Sequence, residues 1–231
     1  MTRPIDTLLF DFGGTLDADG VAWKERFHDH YRAEGLDVAA EAFAPVFYAA
    51  DDPLVGGLPE DADLAATVAR LTDNLESELG RRGIARRDAA RGGRVAARFL
   101  ADAEAAFRRN RPLLEALGAR YRLGIVSNFY GNLDAVCRGA GLKPLFGAIA
   151  DSERVGAEKP DPAIFHAALH PLGAEAATTL FIGDSLRRDR AGARALGMGF
   201  IWLAPVEAQA AETDRDHPVV ARLDALRELL A

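Results

Sequence analysis

Cysteine is almost absent from this chain of 231 residues, since Cys137 is the only one. A disulfide framework and a thiolate zinc cluster both need several cysteines, so neither can form within one chain, and Cys137 is expected to be a packed core residue. Long apolar runs are also lacking, because Arg, Asp or Gly interrupts each before the roughly 18 residues of a membrane span. The first residues reach Asp6 too early for a signal peptide. We therefore expect a cytoplasmic protein with no membrane partner.

Basic residues are fewer than acidic ones, with 28 Lys and Arg against 35 Asp and Glu, which gives a net charge of −7. Binding a nucleic-acid backbone requires a basic face, so we do not expect nucleic acid to be a partner. Lysine is the scarcest cation: Lys24, Lys143 and Lys159 occur in a chain that otherwise uses arginine. The content of 49% hydrophobic and 27% charged residues is typical of a globular domain.

Short apolar runs that close on small polar residues predict buried parallel strands. Between and after these runs lie segments with helical periodicity. The alternation predicts an α/β fold, a parallel sheet with helices on its faces and a ligand site beyond the carboxyl ends of the strands. The predicted strands are 7–10, 123–126 and 179–182, with weaker ones at 147–150 and 199–203, and the predicted helices are 131–140, 161–172, 187–196 and 218–230.

Residues from about 20 to 107 interrupt the alternation with helical periodicity. Trp23, Phe27 and Tyr31 recur at a spacing of four residues, which favours a packed helix face over a substrate platform. The simplest interpretation is a helical domain inserted after the first strand, with its two connections near 17–21 and 107–112.

Asp11 ends the first predicted strand and precedes Gly13, Gly14 and Thr15. A carboxylate held at a strand end among backbone N–H groups can act as a nucleophile or as a metal ligand. The third strand closes on Asp184, with Asp189 five residues later. Two carboxylates at one strand end suit a hard divalent cation such as Mg²⁺, and the alternative is that they cap the following helix.

Two further segments add groups that can hold an anion. Ser127 and Asn128 follow the second strand, and Lys159 precedes a predicted helix. A hydroxyl, backbone amides and a compact ammonium form a suitable cradle for a tetrahedral anion.

Taken together and in order, these four segments resemble the motifs of the haloacid dehalogenase superfamily, over about residues 6–205. The resemblance implies a Rossmann-like core, residues 1–18 and 110–231, with an inserted α-helical cap, residues 19–109. It also implies phosphoryl transfer through an aspartyl-phosphate on Asp11, with Mg²⁺ held by Asp11, the carbonyl of Gly13, Asp184 and Asp189. Thr15, Ser127 and Lys159 would hold the phosphoryl group, assisted by Gly14 and Asn128.

The chain departs from the phosphatases of this superfamily at Gly13, where they usually carry a second Asp that acts as general acid and base. Such proton transfer is worth about 10²–10⁴-fold in rate. A replacement acid could come from the connection near 17–21 or from the first cap helix. For each candidate there, the simpler interpretation is a solvated residue with no catalytic role. These candidates are Asp17, Asp19, Glu25, His28 and His30.

The leading hypothesis is a Mg²⁺-dependent hydrolase of small phosphorylated metabolites, active as a monomer or homodimer. The main alternative is a catalytically weak relative that binds a phosphorylated ligand or a partner protein, and Gly13 is its support.

Dehalogenases of this superfamily need no metal, so the intact Asp184 and Asp189 argue against that chemistry. A phosphonate hydrolase would need a cap lysine, and Lys24 is the one lysine in the cap. His166 and His170 share metal-ligand spacing without a companion Glu, which favours surface roles.

Overall fold

The computed structural model describes residues 4–211 and 216–230, within which six strands form one parallel sheet. The strands are β1 Thr7–Phe10, β2 Arg122–Ser127, β3 Ala148–Asp151, β4 Thr179–Gly183, β5 Gly199–Leu203 and β6 Val219–Val220. Their order in the sheet is β3-β2-β1-β4-β5-β6, with every neighbouring pair parallel. The predicted α/β fold is confirmed. Because β1 lies between β2 and β4, the three predicted polar strand ends meet at one edge.

Helices cover both faces of this sheet. In the described ranges they are α1 Trp23–Ala33, α2 Ala40–Asp51, α3 Leu64–Arg81, α4 Ala89–Gly118, α5 Leu133–Gly139, α6 Ser152–Val155, α7 Pro162–Leu172, α8 Ala191–Ala195, α9 Val206–Ala211 and α10 Leu226–Leu229. None of these helices is both long enough and apolar enough to cross a bilayer.

Strand β1 is buried along its whole length, and its side chains alternate between two apolar cores. Leu8 and Phe10 point into the larger core, whereas Leu9 packs in the smaller one with Phe165 and Phe181. A strand covered on both faces reads as a continuous apolar run, which explains why these four residues are a strong strand signal.

Helices α1 to α4 lie between β1 and β2, where the inserted helical segment is predicted. Side chains of α3 at helical spacing, including Leu71 and Leu75, are fully buried, as is Phe99 of α4. Phe27 stacks on Phe99 with ring centroids 4.4 Å apart. Helix α4 continues without a break through 107–112, where the second connection is predicted. The chain therefore returns from the insertion to the sheet as a helix. The exact domain boundaries stay a prediction.

The predicted helix 218–230 is wrong in its first part. Val219 and Val220 form β6 and pair with Trp202 and Leu203 of β5. Two β-branched residues beside an exposed sheet edge gain ladder hydrogen bonds that a helix start would not give them. Helical structure begins only after Arg222.

Candidate active site

The first element of the site is Asp11, which follows β1 directly. Its backbone N–H donates to the carbonyl of Ile182 at 2.9 Å, so the residue stays in line with the neighbouring strand β4. Its Oδ1 accepts from the N–H of Phe12 at 2.7 Å and from Ser127 Oγ at 2.8 Å, and lies 2.7 Å from Lys159 Nζ. These three donors hold the carboxylate in a fixed orientation. All three contact Oδ1, so the second carboxylate oxygen, Oδ2, is not used in these contacts.

The second element follows β4, where Gly183 and Asp184 lead into a π-helical turn, Leu186–Arg190. Asp189 Oδ2 accepts from the N–H of Ser185 at 2.9 Å, which aims this carboxylate back at the strand end. Glycine is required at 183, since an added Cβ there would lie 2.2 Å from Asp189 Oδ2.

Lys159 joins the two strand ends. Its Nζ lies 2.7 Å from Asp11 Oδ1 and 2.8 Å from Asp189 Oδ1, and its side chain is buried. Asn128 fixes the backbone of this lysine, because Asn128 Oδ1 accepts from the Lys159 N–H at 2.7 Å and Asn128 Nδ2 donates to the Lys159 carbonyl at 3.3 Å. The side-chain amide of Asn128, which is predicted to contact substrate, is therefore hydrogen-bonded to the backbone of Lys159.

The acidic side chains outnumber the cation that faces them. Ligand oxygens of Asp11, Asp184 and Asp189 lie within 4.8 Å of one another, with Lys159 as their ammonium partner. Burial and then the charges of the other two carboxylates raise the pKa of Asp184 well above its ordinary value. Burial raises the pKa of Asp189 to about 6. Burial alone would lower the pKa of Lys159, but Asp11 and Asp189 reverse that effect and raise it. This excess of buried negative charge and all-oxygen donors fits a hard divalent cation.

A cavity of about 310 Å³ opens onto this cluster. The strand ends form one part of its wall and the helices α1 and α2 form another. Seven of the predicted site residues line it, namely Asp11, Gly13, Ser127, Asn128, Lys159, Asp184 and Asp189.

Two predicted residues lie outside the cavity wall, although Gly14 borders the site, since a Cβ added to it would lie 2.6 Å from Asp184 Oδ2. Within the described chain, the cavity wall includes neither Gly14 nor Thr15. The N–H of Gly14 donates to Asp17 Oδ1 at 2.7 Å, and its φ of +85° is a conformation that suits glycine. Thr15 is fully buried, and its hydroxyl has no hydrogen-bond partner among residues 4–211 and 216–230. Their contacts with substrate stay predictions.

The candidates for the missing acid are mostly engaged in other contacts. Asp17 is buried and accepts from Gly14 N, Trp23 Nε1 and Arg26 Nη1, each at 2.7 Å. Asp19 lies 2.8 Å from Arg109 Nη2. Glu25 lines the cavity but is exposed, 3.1 Å from Lys24 Nζ.

The two candidate histidines of α1 lie outside the cavity wall of the described chain. A ring nitrogen of His28 lies 2.7 Å from the carbonyl of Val38, and His30 lies 3.2 Å from Asp102. Burial lowers the pKa of His30.

The remaining sequence candidates take structural positions. Cys137 is fully buried, and burial raises the pKa of its thiol to about 12. His166 and His170 are both exposed on α7. Phe27 and Tyr31 are fully buried in the larger core, whereas Trp23 both packs there and lines the cavity.

Three cavity residues carry no signal in the sequence that marks them as functional. Asp51 ends α2, Tyr130 follows β2, and Arg188 lies in the π-helical turn. Tyr130 Oη donates to Asp51 Oδ1 at 2.5 Å. Only the packing of α2 over the strand ends brings these residues together, so spacing along the chain could not have found them.

A family model for haloacid dehalogenase-like hydrolases matches residues 5–197. The chain belongs to this family. Haloacid dehalogenase-like hydrolase domain-containing protein 3 of Bos taurus is 45% identical over 86 residues, which cover 37% of this chain and 34% of that protein. Glyceraldehyde 3-phosphate phosphatase of Methanothermobacter thermautotrophicus is 29% identical over 128 residues, which cover 51% of this chain and 55% of that protein. The matches therefore span between about a third and just over half of these relatives.

The fold is shared over a greater length. The crystal structure of the HAD-hydrolase YfnB from Bacillus subtilis, bound to magnesium, aligns over 99% of both chains with a TM-score of 0.57 and 22% identity. Likeness at this level of identity shows the common architecture of the two chains. The α/β core of the chain thus has the architecture seen in solved structures of the haloacid dehalogenase-like family to which it belongs.

Proposed function

We propose that the chain is a Mg²⁺-dependent phosphatase that hydrolyses small phosphorylated metabolites through a phosphorylated Asp11. The observation that best supports this proposal is the geometry of Asp11. Three donors contact its Oδ1, and both Asp11 and Lys159 line the cavity. A carboxylate held this way can attack phosphorus with its second oxygen at no cost of reorientation. The phosphatase name of the archaeal relative supports the same chemistry.

The residues fit a magnesium ion, since three carboxylates converge with an excess of negative charge. Asp11, Asp184, Asp189 and the carbonyl of Gly13 would hold it. When bound, the ion would supply a positive charge that neutralises the phosphoryl oxygens as the negative charge on them develops. Lys159 would add a fixed ammonium beside Asp11, and Ser127 would keep the nucleophile oriented.

The reaction takes two displacements at phosphorus. Asp11 Oδ2 attacks the phosphorus, the bond to the leaving oxygen breaks, and the alcohol departs with a proton. Water then attacks the same phosphorus, and the bond to Asp11 breaks to release inorganic phosphate. Each displacement needs a group that moves one proton, and Gly13 has no side chain to do it.

The phosphonate-hydrolase alternative is disfavoured by Lys24. Lysines that form Schiff bases are activated by a lowered pKa. Burial alone would lower the pKa of Lys24, but the Glu25 carboxylate 3.1 Å away reverses this and raises it. A second candidate function, ligand binding with weak turnover, keeps the support of Gly13.

A panel of phosphate esters and acyl phosphates, assayed with and without magnesium, tests the proposed function. We expect phosphate release that depends on magnesium. Failure of the purified, folded protein to turn over any member of the panel would contradict the proposal. A thermal shift by magnesium and beryllofluoride in the same protein would then favour the ligand-binding candidate.

A further inference from the structure

One carboxylate of the inserted helices lies in the wall of the proposed active-site cavity. Asp51 ends α2, which packs in the helical insertion, whereas Asp11 and Lys159 belong to the strand ends. If the phosphoryl group binds between Asp11 and Lys159, the leaving group must extend into the rest of the cavity, toward α1 and α2. In that case Asp51 is one of the α2 residues in the part of the wall that the leaving group would face.

The other carboxylates of the cavity are engaged. Asp189 is 2.8 Å from Lys159, and Asp184 belongs to the acidic cluster that fits the metal. Glu25 is exposed and 3.1 Å from Lys24. Among the described residues that line this cavity, Asp51 is thus the carboxyl group that stands outside both the metal cluster and an ion pair with lysine.

The surroundings of Asp51 prepare a carboxyl group for proton transfer. Tyr130 Oη donates to its Oδ1 at 2.5 Å, which fixes the group and leaves Oδ2 for a substrate. Burial raises the pKa of Asp51 to about 6. The charge of Asp52 adds to this rise, whereas the Tyr130 hydrogen bond and the charge of Arg188 oppose it. Lys24 and Glu25 of α1 are the other charged groups in the facing part of the wall.

We propose that Asp51 supplies the proton that Gly13 cannot, an inference that rests on the proposed phosphatase function. In the first displacement the bond between phosphorus and the leaving oxygen breaks, and that oxygen takes the proton from the Asp51 carboxyl. The resulting Asp51 carboxylate accepts a proton from the water that attacks phosphorylated Asp11. Phosphate and alcohol leave, and both aspartates return to their starting states.

The test compares Asp51→Asn with wild type on two substrates, 4-nitrophenyl phosphate and glycerol 2-phosphate, in saturating magnesium. Nitrophenolate departs without a proton, whereas the glycerol oxygen needs one. We expect Asp51→Asn to lower kcat/KM, which reports the first displacement alone, by about 10²-fold or more on glycerol 2-phosphate, with a much smaller loss on the aryl ester. The second displacement is common to both esters, so kcat should fall on both. Glu104→Gln removes one negative charge from the open surface, outside the cavity wall and outside the charges that shift the pKa of Asp51, and should leave the ratio of the two kcat/KM values unchanged.

Tyr130→Phe gives a second readout, because it keeps the ring and removes the hydrogen bond that lowers the pKa of Asp51. The acid of the first displacement acts in its protonated form, so kcat/KM on glycerol 2-phosphate should fall as pH rises through the pKa of Asp51. In Tyr130→Phe this alkaline limb should move to higher pH.

The outcomes separate the inference from the proposed function. Wild-type turnover of the aryl ester together with an unchanged rate ratio in Asp51→Asn would overturn the role of Asp51 and keep the phosphatase. Wild-type turnover of the aryl ester with none of the alkyl ester would also overturn it, because no acid would then be acting. Turnover of neither ester, together with failure on every other member of the panel, would overturn the proposed function itself.

Discussion

The indole of Trp23 occupies the space beside Gly13, where a Cβ added to the glycine would lie 3.2 Å from Trp23 Nε1. That nitrogen donates to Asp17 Oδ2 at 2.7 Å, so the ring is held in place. The left-handed glycine of this loop is Gly14 rather than Gly13. Side-chain crowding, and not backbone conformation, therefore favours glycine at 13, because an aromatic ring from α1 crowds the position that the side chain of the usual acid would take.

A first prediction follows for Gly13→Ala. The new Cβ must displace a fixed indole, and overpacking of this kind costs about 1–3 kcal/mol of unfolding free energy. Gly93→Ala is the matched control, since it lies exposed within α4 and an added Cβ there would meet no described atom within 4 Å. That change should stabilise by about 0.5–1 kcal/mol. Urea unfolding measures both, and equal stabilities of the two variants would contradict the crowding at Gly13.

The second prediction concerns the buried pair between Asp17 and Arg26, which are 2.7 Å apart with side chains 0% and 8% exposed. Asp17→Asn removes the charge that compensates Arg26, and breaking such a pair costs about 3–5 kcal/mol. Glu104→Gln is the control, because Glu104 is 3.6 Å from Arg108 on the open surface, where pairs contribute about 0–1 kcal/mol. A loss in Asp17→Asn no larger than in the control would show that the pair does not brace α1 against the loop after β1.

The third prediction is that Asp11→Asn abolishes turnover and leaves the protein folded. The amide keeps the shape of the carboxylate but is not a nucleophile. Removal of one charge also relieves repulsion with Asp184 and Asp189. Phosphate release on the most reactive ester should fall to background while circular dichroism is unchanged. Turnover at more than a small fraction of the wild-type rate would exclude Asp11 as the nucleophile.

The fourth prediction tests the metal site first by a thermal shift, which needs no catalysis, and then by removal of the metal. Magnesium that binds only the folded state should raise Tm in proportion to RT ln(1 + [Mg²⁺]/Kd). Asp184→Asn removes a ligand from the acidic cluster and should lose most of this shift. Glu104→Gln removes a charge from the distant surface and should keep the full shift. Equal shifts in all three proteins would mean that the ion binds elsewhere. A chelator should abolish wild-type turnover, and added magnesium should restore it.

The strand ends were predictable because their signals are local. Each apolar run closes on small polar residues, and a parallel sheet brings such ends together. Asp11, Ser127 and Asp184 therefore meet as the sequence indicates. Strand β6 was not predictable, since two valines carry little periodicity and become a strand only by pairing with β5.

Asp51 could not be predicted for a related reason. It is the last residue of α2 and has no motif around it, so only the packing of the insertion over the strand ends places it in the cavity. Asp17 is the opposite case, because the sequence suggests a functional role that the structure does not support. Its position in the connection at 17–21 suggests a free acid. Its three hydrogen bonds, one of them with the distant Arg26, are visible only in the folded chain.

The last prediction uses the stability of Asp51→Asn as a function of pH. Burial raises the pKa of Asp51 to about 6 from 3.8, with Asp52 adding to the rise and Tyr130 and Arg188 opposing it. A raised carboxyl pKa means that the folded state binds more protons than the unfolded state between these values, so wild type loses stability as pH rises from about 4 to about 6. Asparagine does not titrate and escapes this loss.

The free energy of unfolding of Asp51→Asn relative to wild type should therefore increase by about 1–3 kcal/mol between pH 4 and pH 7. The other titrating groups are common to both proteins, so the difference reports Asp51 together with the neighbouring charges of Asp52 and Arg188 that act on it. Glu104→Gln should instead follow the wild-type curve, since Glu104 is exposed and is not among the groups that shift the pKa of Asp51. A constant difference between Asp51→Asn and wild type across this range would show that Asp51 ionises as it would in water, and a group that does so has no advantage as a proton donor at neutral pH.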